Sequence, residues 1–310
     1  ILSSFRKRSS MIYFVFLALV LGQVTSTSSR RKTNATTELD LPSAELINCK
    51  TSNVTVADAE EFLLVLSIPS VLCIYMNPGI YPFKETVILT HDIIITTNVA
   101  RGVVLTSQGN GTVLKIARGA NVYLNGLNIT QGLAHADGGG IRNDGKLTAT
   151  NCSVYNNKAD YPDHSYPRVY AAGIYNTGSM MMIDCLIFEN HAGDYFNDGG
   201  GVCNGGNMTM TRCSIFNNFV AYGGGAVFNA GTVATMIMED CLIFNNSGSA
   251  GAVFMDTIDS HTGVNKLTLR GGRVFDNKAQ YNSPEPQITS YAQASLIIQD
   301  AAIDGKINCK

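Results

Sequence analysis

The stretch Cys152-Ser153-Val154-Tyr155-Asn156-Asn157 recurs along the chain with small changes. Its later copies read CLIFEN, CSIFNN, CLIFNN and GRVFDN, at residues 185–190, 213–218, 241–246 and 272–277. Because the copies follow one another at intervals of about thirty residues, they indicate stacked structural units of one kind. The last Asn of each copy predicts a structural ladder at a turn, made of Asn157, Asn190, Asn218, Asn246 and Asn277.

Two further β-rich runs belong to each unit. One combines small residues, an apolar residue and usually an Asn, as in Gly139-Gly140-Ile141-Arg142-Asn143, and the other alternates, as in Leu147-Thr148-Ala149-Thr150. Gly and Asn between the runs tolerate left-handed backbone angles. Three short strands per unit predict a three-faced coil whose equivalent positions lie about 4.8 Å apart, with Cys, Ile or Val, and Met or Leu pointing inward.

These repeats resemble the right-handed parallel β-helix repeats of the pectin-lyase-like superfold, especially the Gly-Gly-Ala-Ile and Phe-x-x-Asn repeats of chlamydial polymorphic outer-membrane proteins. The spacing from Ile215 to Asn218 matches the second motif, although Ile or Val replaces its Phe and the aromatic residue comes one place later. The resemblance covers roughly residues 70–310 and implies an all-β fold, a right-handed parallel β-helix. It implies no single function, because the superfold contains lyases, hydrolases, esterases, epimerases and adhesins.

The order of the chain predicts a leader, a linker and one solenoid domain. The apolar run at residues 11–21 predicts a signal peptide over residues 1–26, with 1–10 as an upstream extension; a signal anchor beside the basic residues 30–32 is the alternative. Residues 27–46 are rich in Ser and Thr and predict a disordered linker. Residues 47–310 then form a single β-helix domain, with regular repeats at 138–279 and a short N-terminal capping helix at 57–66, for which Thr55 is the candidate N-cap.

Charge is nearly balanced, with a formal net charge of -2 in 310 residues. Lys and Arg do not cluster in the repeats, so the sequence predicts neither nucleic-acid binding nor binding to anionic membranes. We expect no cofactor and no metal. With the leader removed, we expect no transmembrane segment, and a secreted or cell-surface location.

The eight cysteines leave two interpretations open. The four that begin the copied phrase have neighbours at a Cα spacing within the range for disulfides, so Cys152 with Cys185 and Cys213 with Cys241 are candidate pairs. Alternatively, they are reduced thiols that fill the core. Cys49 and Cys73, ahead of the repeats, complete the disulfide candidates, and no C-x-x-C spacing points to a zinc site.

Candidate catalytic residues are few and match no family motif. His191, Asp194 and Asp198 follow a polar insertion at 160–170 and are the best acid, base and substrate-contact candidates, although such residues are ordinary in loops. One stacked column contains Asn151, Asp184, Arg212, Asp240 and Gly271. Its three charged residues alternate in sign, which predicts a surface ion-pair ladder rather than a calcium site.

An aromatic column is the more distinctive feature. It is the candidate binding stripe, made of Tyr155, Phe188, Phe216, Phe244 and Phe275. If strand alternation continues, these rings point outward; the alternatives are that the turn rotates them into the core or that a loop covers them. A second outward column is made of Arg142, Tyr175, Cys203, Phe228 and Phe254.

Sequons for N-glycosylation are frequent in this Asn- and Thr-rich chain. We expect some of them to be glycosylated, with Asn34 and Asn53 as the best candidates because their surroundings look exposed. The candidate glycosylation sites are Asn34, Asn53, Asn110, Asn128, Asn151, Asn207 and Asn245. Together these features favour a non-enzymatic β-solenoid that is structural or adhesive, and that binds glycans, surface proteins or copies of itself through a solenoid face or its open C-terminal end. The alternative is an extracellular polysaccharide lyase or hydrolase.

Overall fold

The fold is that of a computed structural model, which describes residues 53–135, 138–160, 171–193, 199–221, 223–231, 233–256, 265–279, 286–290 and 294–309. All of these residues belong to one compact unit, Leu46–Lys310. Within them, 34 strands and one helix follow one another.

The elements are short, as the Gly and Asn punctuation predicts. In chain order, the first half comprises β1 (Asn53–Val56), α1 (Ala59–Leu66), β2 (Cys73–Met76), β3 (Gly79–Pro82), β4 (Val87–Leu89), β5 (Ile93–Thr96), β6 (Val103–Thr106), β7 (Leu114–Ile116), β8 (Asn121–Asn125), β9 (Leu127–Thr130), β10 (Leu133–Ala134), β11 (Ile141–Asn143), β12 (Lys146–Thr150), β13 (Ser153–Tyr155), β14 (Lys158–Ala159), β15 (Ile174–Asn176), β16 (Ser179–Ile183) and β17 (Leu186–Phe188). The second half comprises β18 (His191–Ala192), β19 (Val202–Asn204), β20 (Asn207–Thr211), β21 (Ser214–Phe216), β22 (Phe219–Val220), β23 (Val227–Ala230), β24 (Thr235–Glu239), β25 (Leu242–Phe244), β26 (Ser247–Gly248), β27 (Val253–Asp256), β28 (Asn265–Arg270), β29 (Arg273–Phe275), β30 (Lys278–Ala279), β31 (Pro286–Ser290), β32 (Ala294–Gln299), β33 (Ala302–Ile303) and β34 (Lys306–Cys309).

These strands pair in parallel with the equivalent strands of the neighbouring coils and form four ladders. Sheet 1 runs β1-β2-β5-β8-β12-β16-β20-β24-β28-β32, sheet 2 runs β3-β6-β9-β13-β17-β21-β25-β29-β33, sheet 3 runs β10-β14-β18-β22-β26-β30, and sheet 4 runs β34-β31-β27-β23-β19-β15-β11-β7-β4. Each regular coil passes through sheets 4, 1, 2 and 3 in turn. The predicted parallel β-helix is confirmed; its three long faces are joined by sheet 3, a ladder of two-residue strands.

The core is made of the same position repeated in every coil. In β16, Met180 and Met182 point inward and align with Met208 and Met210 of β20. In sheet 2 the inward residue is Val or Ile, as at Ile187. Burial of these apolar columns supplies the main stabilisation, since each fully buried side chain contributes about 1.5–3 kcal/mol.

Helix α1 closes the N-terminal end of this core. Phe62 is completely buried, with its ring 5.8 Å from that of Phe83. The helix N-cap is Asp58, whose carboxylate accepts from Glu61 N at 2.9 Å. The expectation of Thr55 as N-cap was wrong, because Thr55 lies within β1 and pairs with Tyr75. The capping helix itself is confirmed.

The Asn column of the copied phrase forms a hydrogen-bonded ladder. Each amide Nδ2 donates to the Oδ1 of the next Asn along, at 3.0 Å for Asn157 to Asn190 and 2.9 Å for Asn190 to Asn218. The same Oδ1 also accepts from the preceding Asn main-chain N, which satisfies a buried turn. Gln287 continues the ladder by accepting from Asn277 Nδ2 at 2.8 Å.

The inward cysteines are free thiols, which is the second of the two interpretations. Equivalent Cβ atoms of stacked coils lie about as far apart as the strands, about 4.8 Å, whereas a disulfide requires about 3.8 Å. Contact with the Cys185 thiol, together with burial, holds the pKa of the Cys152 thiol well above its ordinary value. Cys73 is disulfide-bonded, and Cys49 lies outside the described residues.

Candidate functional site

The aromatic column forms a continuous stack on the outside of sheet 2. Its rings belong to β13, β17, β21, β25 and β29, which pair in register. Successive ring centroids are 4.9, 5.0, 5.0 and 5.2 Å apart, and successive planes differ by 2 to 13°. The spacing of the strands thus sets the spacing of the rings. We call these five rings, from Tyr155 to Phe275, the aromatic stripe.

Strand alternation keeps the stripe outside the core. The preceding residue in each strand, such as Val154 or Ile187, is fully buried in the main core cluster, whereas no ring of the stripe belongs to that cluster. Phe216, at the middle, is 7% exposed, and the other four rings are half-buried. The alternative in which the turn rotates the rings into the core does not occur.

Stacking determines which part of each ring a partner can reach. The inner rings cover each other's faces, and the guanidinium of Arg273 lies 4.6 Å from the centroid of the last ring, Phe275. At the other end, burial raises the pKa of the Tyr155 hydroxyl. The stripe therefore presents ring edges, whereas a stacked sugar needs a free ring face.

Turn residues with left-handed backbone angles border the stripe on both sides. The first edge, between sheets 1 and 2, contains Arg101, Gly126, Asn151, Asp184, Arg212, Asp240, Gly271 and Asp300. The second edge, between sheets 2 and 3, contains Gln131, Asn156, Glu189, Asn217, Asn245 and Asp276. Positive φ at each of these positions turns the chain sharply between faces, which explains why Asn, Asp and Gly dominate them.

The first edge carries alternating charges, as the sequence predicts. Arg212 Nε and Nη2 each donate to the Asp184 carboxylate at 2.8 Å. This bidentate pair also raises the pKa of Arg212, to which Asp240 adds a smaller contribution. Arg101 extends along the same edge, and its Nη2 reaches within 3.4 Å of the Asp184 carbonyl oxygen. Both partners of the central pair are partly exposed, so it contributes little to folding stability.

The β-helix seen in the structure is also the fold of the protein family that the sequence matches. The profile of the right handed beta helix region family matches residues 78–267, which is more than half of the chain. The chain belongs to this right-handed β-helix family.

Two solved structures are similar to this β-helix. One is Escherichia coli YbhC, with 10% identity and a TM-score of 0.40, over 72% of this chain and 76% of that one. The other is pectate lyase Pel9A, with 15% identity and a TM-score of 0.41, over 79% of this chain and 73% of that one. No curated protein matches the chain. Neither structure bears on the chemistry of this β-helix.

The catalytic candidates are not brought together in the described part of this β-helix. His191 is exposed on the outside of sheet 3, where its ring stacks on Phe219 at 4.5 Å. Asp194 and Asp198 lie outside the described residues. Among the residues that are described, no group of three His, Cys, Asp or Glu side chains could hold a metal ion.

The second outward column of the β-helix is buried at Cys203 and Phe228 and half-buried at its other members. Cys203 and Phe228 are each 1% exposed, in a small apolar cluster with Ala171 and Ala230 outside sheet 4. The Phe228 ring stacks on that of Phe254 at 5.1 Å. This column therefore packs the outside of sheet 4, whereas the five stacked rings of the stripe lie on sheet 2.

Most of the sequon Asn side chains are exposed. Exposed Asn side chains occur at Asn53, Asn110, Asn151, Asn207 and Asn245, and Asn34 lies outside the described residues. Asn128 is different, because it is buried and its Nδ2 donates to Arg101 O at 2.6 Å. The expectation that Asn128 is a glycosylation site therefore conflicts with the folded structure.

A second Asn ladder was not predicted from the sequence. It lies between sheets 4 and 1, where Asn143 Nδ2 donates to Asn176 Oδ1 and Asn176 Nδ2 donates to Asn204 Oδ1, both at 2.7 Å. It continues through Asn229 to Asn265. Since the Asn ladders brace the turns on both sides of sheets 1 and 2, the outer face of sheet 2 is a rigid platform.

Proposed function

We propose that this protein is a secreted or cell-surface β-solenoid that acts without catalysis, as a structural or adhesive module that binds a protein surface. The aromatic stripe carries the proposal. It is a straight, rigid row of ring edges outside the core, bordered by polar turns, which is the arrangement of a protein interface with an apolar centre and a polar rim.

Ring orientation favours a protein partner over a glycan. A sugar that stacks on an aromatic side chain needs the ring face, and the faces within the stripe are covered by neighbouring rings. Ring edges instead pack well against aliphatic and aromatic side chains of another protein. Glycan binding through this face would have to use the polar turns alone.

Several features support an extracellular location. The apolar run at residues 11–21 has the pattern of a secretory leader, Cys73 is disulfide-bonded, and sequons have exposed Asn side chains, such as Asn110 and Asn207. The single described helix has eight residues, and no helix in the described ranges is long and apolar enough to cross a bilayer.

The experiment that tests the proposal compares two faces of the same coils. Phe188→Lys with Phe244→Lys places two charges on the stripe, and Met181→Lys with Ile237→Lys places two charges in the same coils on the half-buried outer face of sheet 1. Each protein is passed over columns carrying itself, or acidic or neutral polysaccharides, while unsaturated products and reducing ends are measured.

We expect the column that carries the protein itself to retain the unmodified protein and the sheet 1 variant but not the stripe variant. We expect no cleavage of any polysaccharide. Cleavage by the unmodified protein would overturn the non-enzymatic proposal. Equal retention of the two variants would show that binding does not use the stripe.

A further inference from the structure

We propose that the outer face of sheet 2 is an interface between two antiparallel copies of this chain. The proposal rests on the proposed function and names its partner. A closed dimer of this kind is isologous, so the same surface must be complementary to itself after a two-fold rotation. The order of charges along the first edge, together with the aromatic stripe, meets this requirement in one register.

The charges fix the register at the midpoint between Asp184 and Arg212. With the two-fold axis there, Asp184 of one copy lies opposite Arg212 of the other, and the reverse. Arg101 reaches the level between Asn151 and Asp184, because its Nη2 contacts the Asp184 carbonyl oxygen, so in the other copy it faces the level between Arg212 and Asp240. The central Asp184 and Arg212 thus meet opposite charges, and Asp240 faces the uncharged Asn151.

The stripe meets itself in the same register. Phe188 lies opposite Phe216 of the other copy, and Tyr155 lies opposite Phe244. Four rings of each copy therefore form the apolar centre of the interface. The Arg–Asp pairs lie at its edge, where water reaches them, as in other interfaces with a hydrophobic core and a polar rim.

The second edge adds no repulsion in this register. Glu189 lies opposite Asn217 of the other copy, Asn156 lies opposite Asn245, and Asp276 lies opposite the level of Gln131. An amide thus meets each carboxylate, and no two like charges face each other along this side.

Neighbouring registers are worse. Moving the axis half a coil toward the C-terminal end places Arg212 opposite itself and Asp184 opposite Asp240, and moving it half a coil the other way places Asp184 opposite itself. A full coil toward the C-terminal end sets Glu189 opposite Asp276. Like charges in these positions disfavour each alternative.

The two remaining arrangements fail for different reasons. A full coil toward the N-terminal end leaves only Tyr155 and Phe188 facing rings of the other copy. A parallel dimer brings the first edge of one copy against the second edge of the other, which places Asp184 opposite Glu189. The antiparallel register at the midpoint is the one that combines ring contact with charge complementarity.

The size of the face predicts a weak but specific dimer. Eight strands from β6 to β33, about 4.8 Å apart, make a face about 34 Å long, and five residues across it span about 16 Å. These dimensions give on the order of 600 Å² per copy and about 1,200 Å² in total, at the lower limit of specific interfaces. We therefore expect self-association at micromolar concentrations.

The decisive experiment reverses single charges and then mixes the variants. The protein is produced in the bacterial periplasm, because disulfides form there and no glycans are added at Asn151 or Asn245. Asp184→Arg makes both members of the central Asp184–Arg212 pair positive, and Arg212→Asp makes both negative. Both residues are partly exposed, so we expect both variants to fold, which circular dichroism would check. Lys146→Asp, on the outer face of sheet 1, is the matched control.

Sedimentation equilibrium from about 1 to 100 µM measures the dimer. We expect the unmodified protein to dimerise. Each charge variant alone should associate at least about tenfold more weakly, and an equimolar mixture of the two variants should recover dimers. When Asp184→Arg is mixed with Lys146→Asp, only the Lys146→Asp chains should dimerise, and the Asp184→Arg chains should stay monomeric. The proposal is wrong if the unmodified protein stays monomeric at about 100 µM, or if mixing restores nothing.

These outcomes are separate from those of the proposed function. A protein that its stripe retains on a column carrying the same protein, but whose charge variants recover no dimers on mixing, would keep the proposed function and remove the antiparallel dimer. A monomer that binds nothing would remove both.

Discussion

Asn218 tests whether the Asn ladder holds the coils together. Its side chain is buried; Nδ2 donates to Ile187 O at 3.0 Å, Phe216 O at 3.1 Å and Asn246 Oδ1 at 2.9 Å. Its Oδ1 accepts from Asn190 N at 3.1 Å. Asn218→Leu keeps the volume roughly constant and removes every one of these side-chain bonds.

The cost of Asn218→Leu follows from the groups that lose a partner. Asn190 N loses the acceptor that satisfies it inside the turn. Asn190 Nδ2 also loses Asn218 Oδ1 but still donates to Val154 O at 3.0 Å, and Asn246 Oδ1 still accepts from the main-chain N of residue 218 at 3.0 Å. One orphaned buried donor costs about 1–3 kcal/mol, and the lost bonds to carbonyls add about 1 kcal/mol. We expect a loss of about 2–4 kcal/mol in the free energy of unfolding.

Thermal unfolding followed by far-ultraviolet circular dichroism measures this loss. A change of 1 kcal/mol shifts the Tm of a domain of this size by about 2–4 °C, so Asn218→Leu should lower Tm by about 4–16 °C. Asn217→Gly is the control, because residue 217 has φ +54°, which Gly adopts freely, and it should change Tm little. Equal Tm values for the two variants would refute a structural ladder.

Other measurements test other parts of the structure. Hydrogen bonds from Thr177 and Arg142 outweigh burial and lower the pKa of Asp144, so its stabilisation is complete above the unfolded value of 3.8 and is lost as pH falls through the lower folded value. Asp144→Asn should therefore flatten the fall in Tm below about pH 4, and an unchanged acid slope would contradict this. Among the described cysteines, Cys309 should react rapidly with a thiol reagent in the folded protein and the buried ones only after denaturation, and a fast second thiol would show that the ladder is accessible. In a glycosylating host, mass spectrometry should find glycan at Asn207 and none at Asn128, whereas an occupied Asn128 would contradict its buried hydrogen bond.

The repeats predict the fold because a solenoid uses the same side chain at the same place in every coil. The alternation within each strand correctly places Val154 inside and Tyr155 outside, and the copied Asn correctly places the turn. In contrast, the overlap of ring faces depends on side-chain rotamers, which the sequence pattern does not specify. The position of the stripe was therefore predictable, and its presentation of edges was not.

The second Asn ladder shows how one substitution can hide a feature. Asn143, Asn176, Asn204 and Asn229 each end the first run of a coil, but the next coil has Met255 at that place. In the structure, Asn265 takes over the role from a later position, and its Nδ2 donates to Asp256 O at 3.0 Å. The sequence column looks broken there, whereas the hydrogen-bonded column is continuous.

The catalytic candidates could not be assessed from the sequence for a different reason. His191 lies on the regular ladder, so its position follows from the repeat. Asp194 and Asp198 fall in a stretch of sequence between the repeated runs, where no repeat pattern predicts their positions. Repeats determine the faces of a solenoid, while its insertions remain independent of them.

The charged residues of the first edge occupy a repeated position, but their charges differ from coil to coil. A strict repeat would stack like charges about 4.8 Å apart, and their repulsion disfavours a uniform column. Alternation from Asp184 to Arg212 to Asp240 removes this repulsion within one chain, and it also makes the edge complementary to its own antiparallel copy. Stability within one chain is enough to explain the alternation. It predicts, however, that mixing the two charge-reversed variants restores no dimers, because neither variant regains the ion pair between its own residues 184 and 212. Recovery of dimers on mixing would therefore show that the alternation also acts between copies.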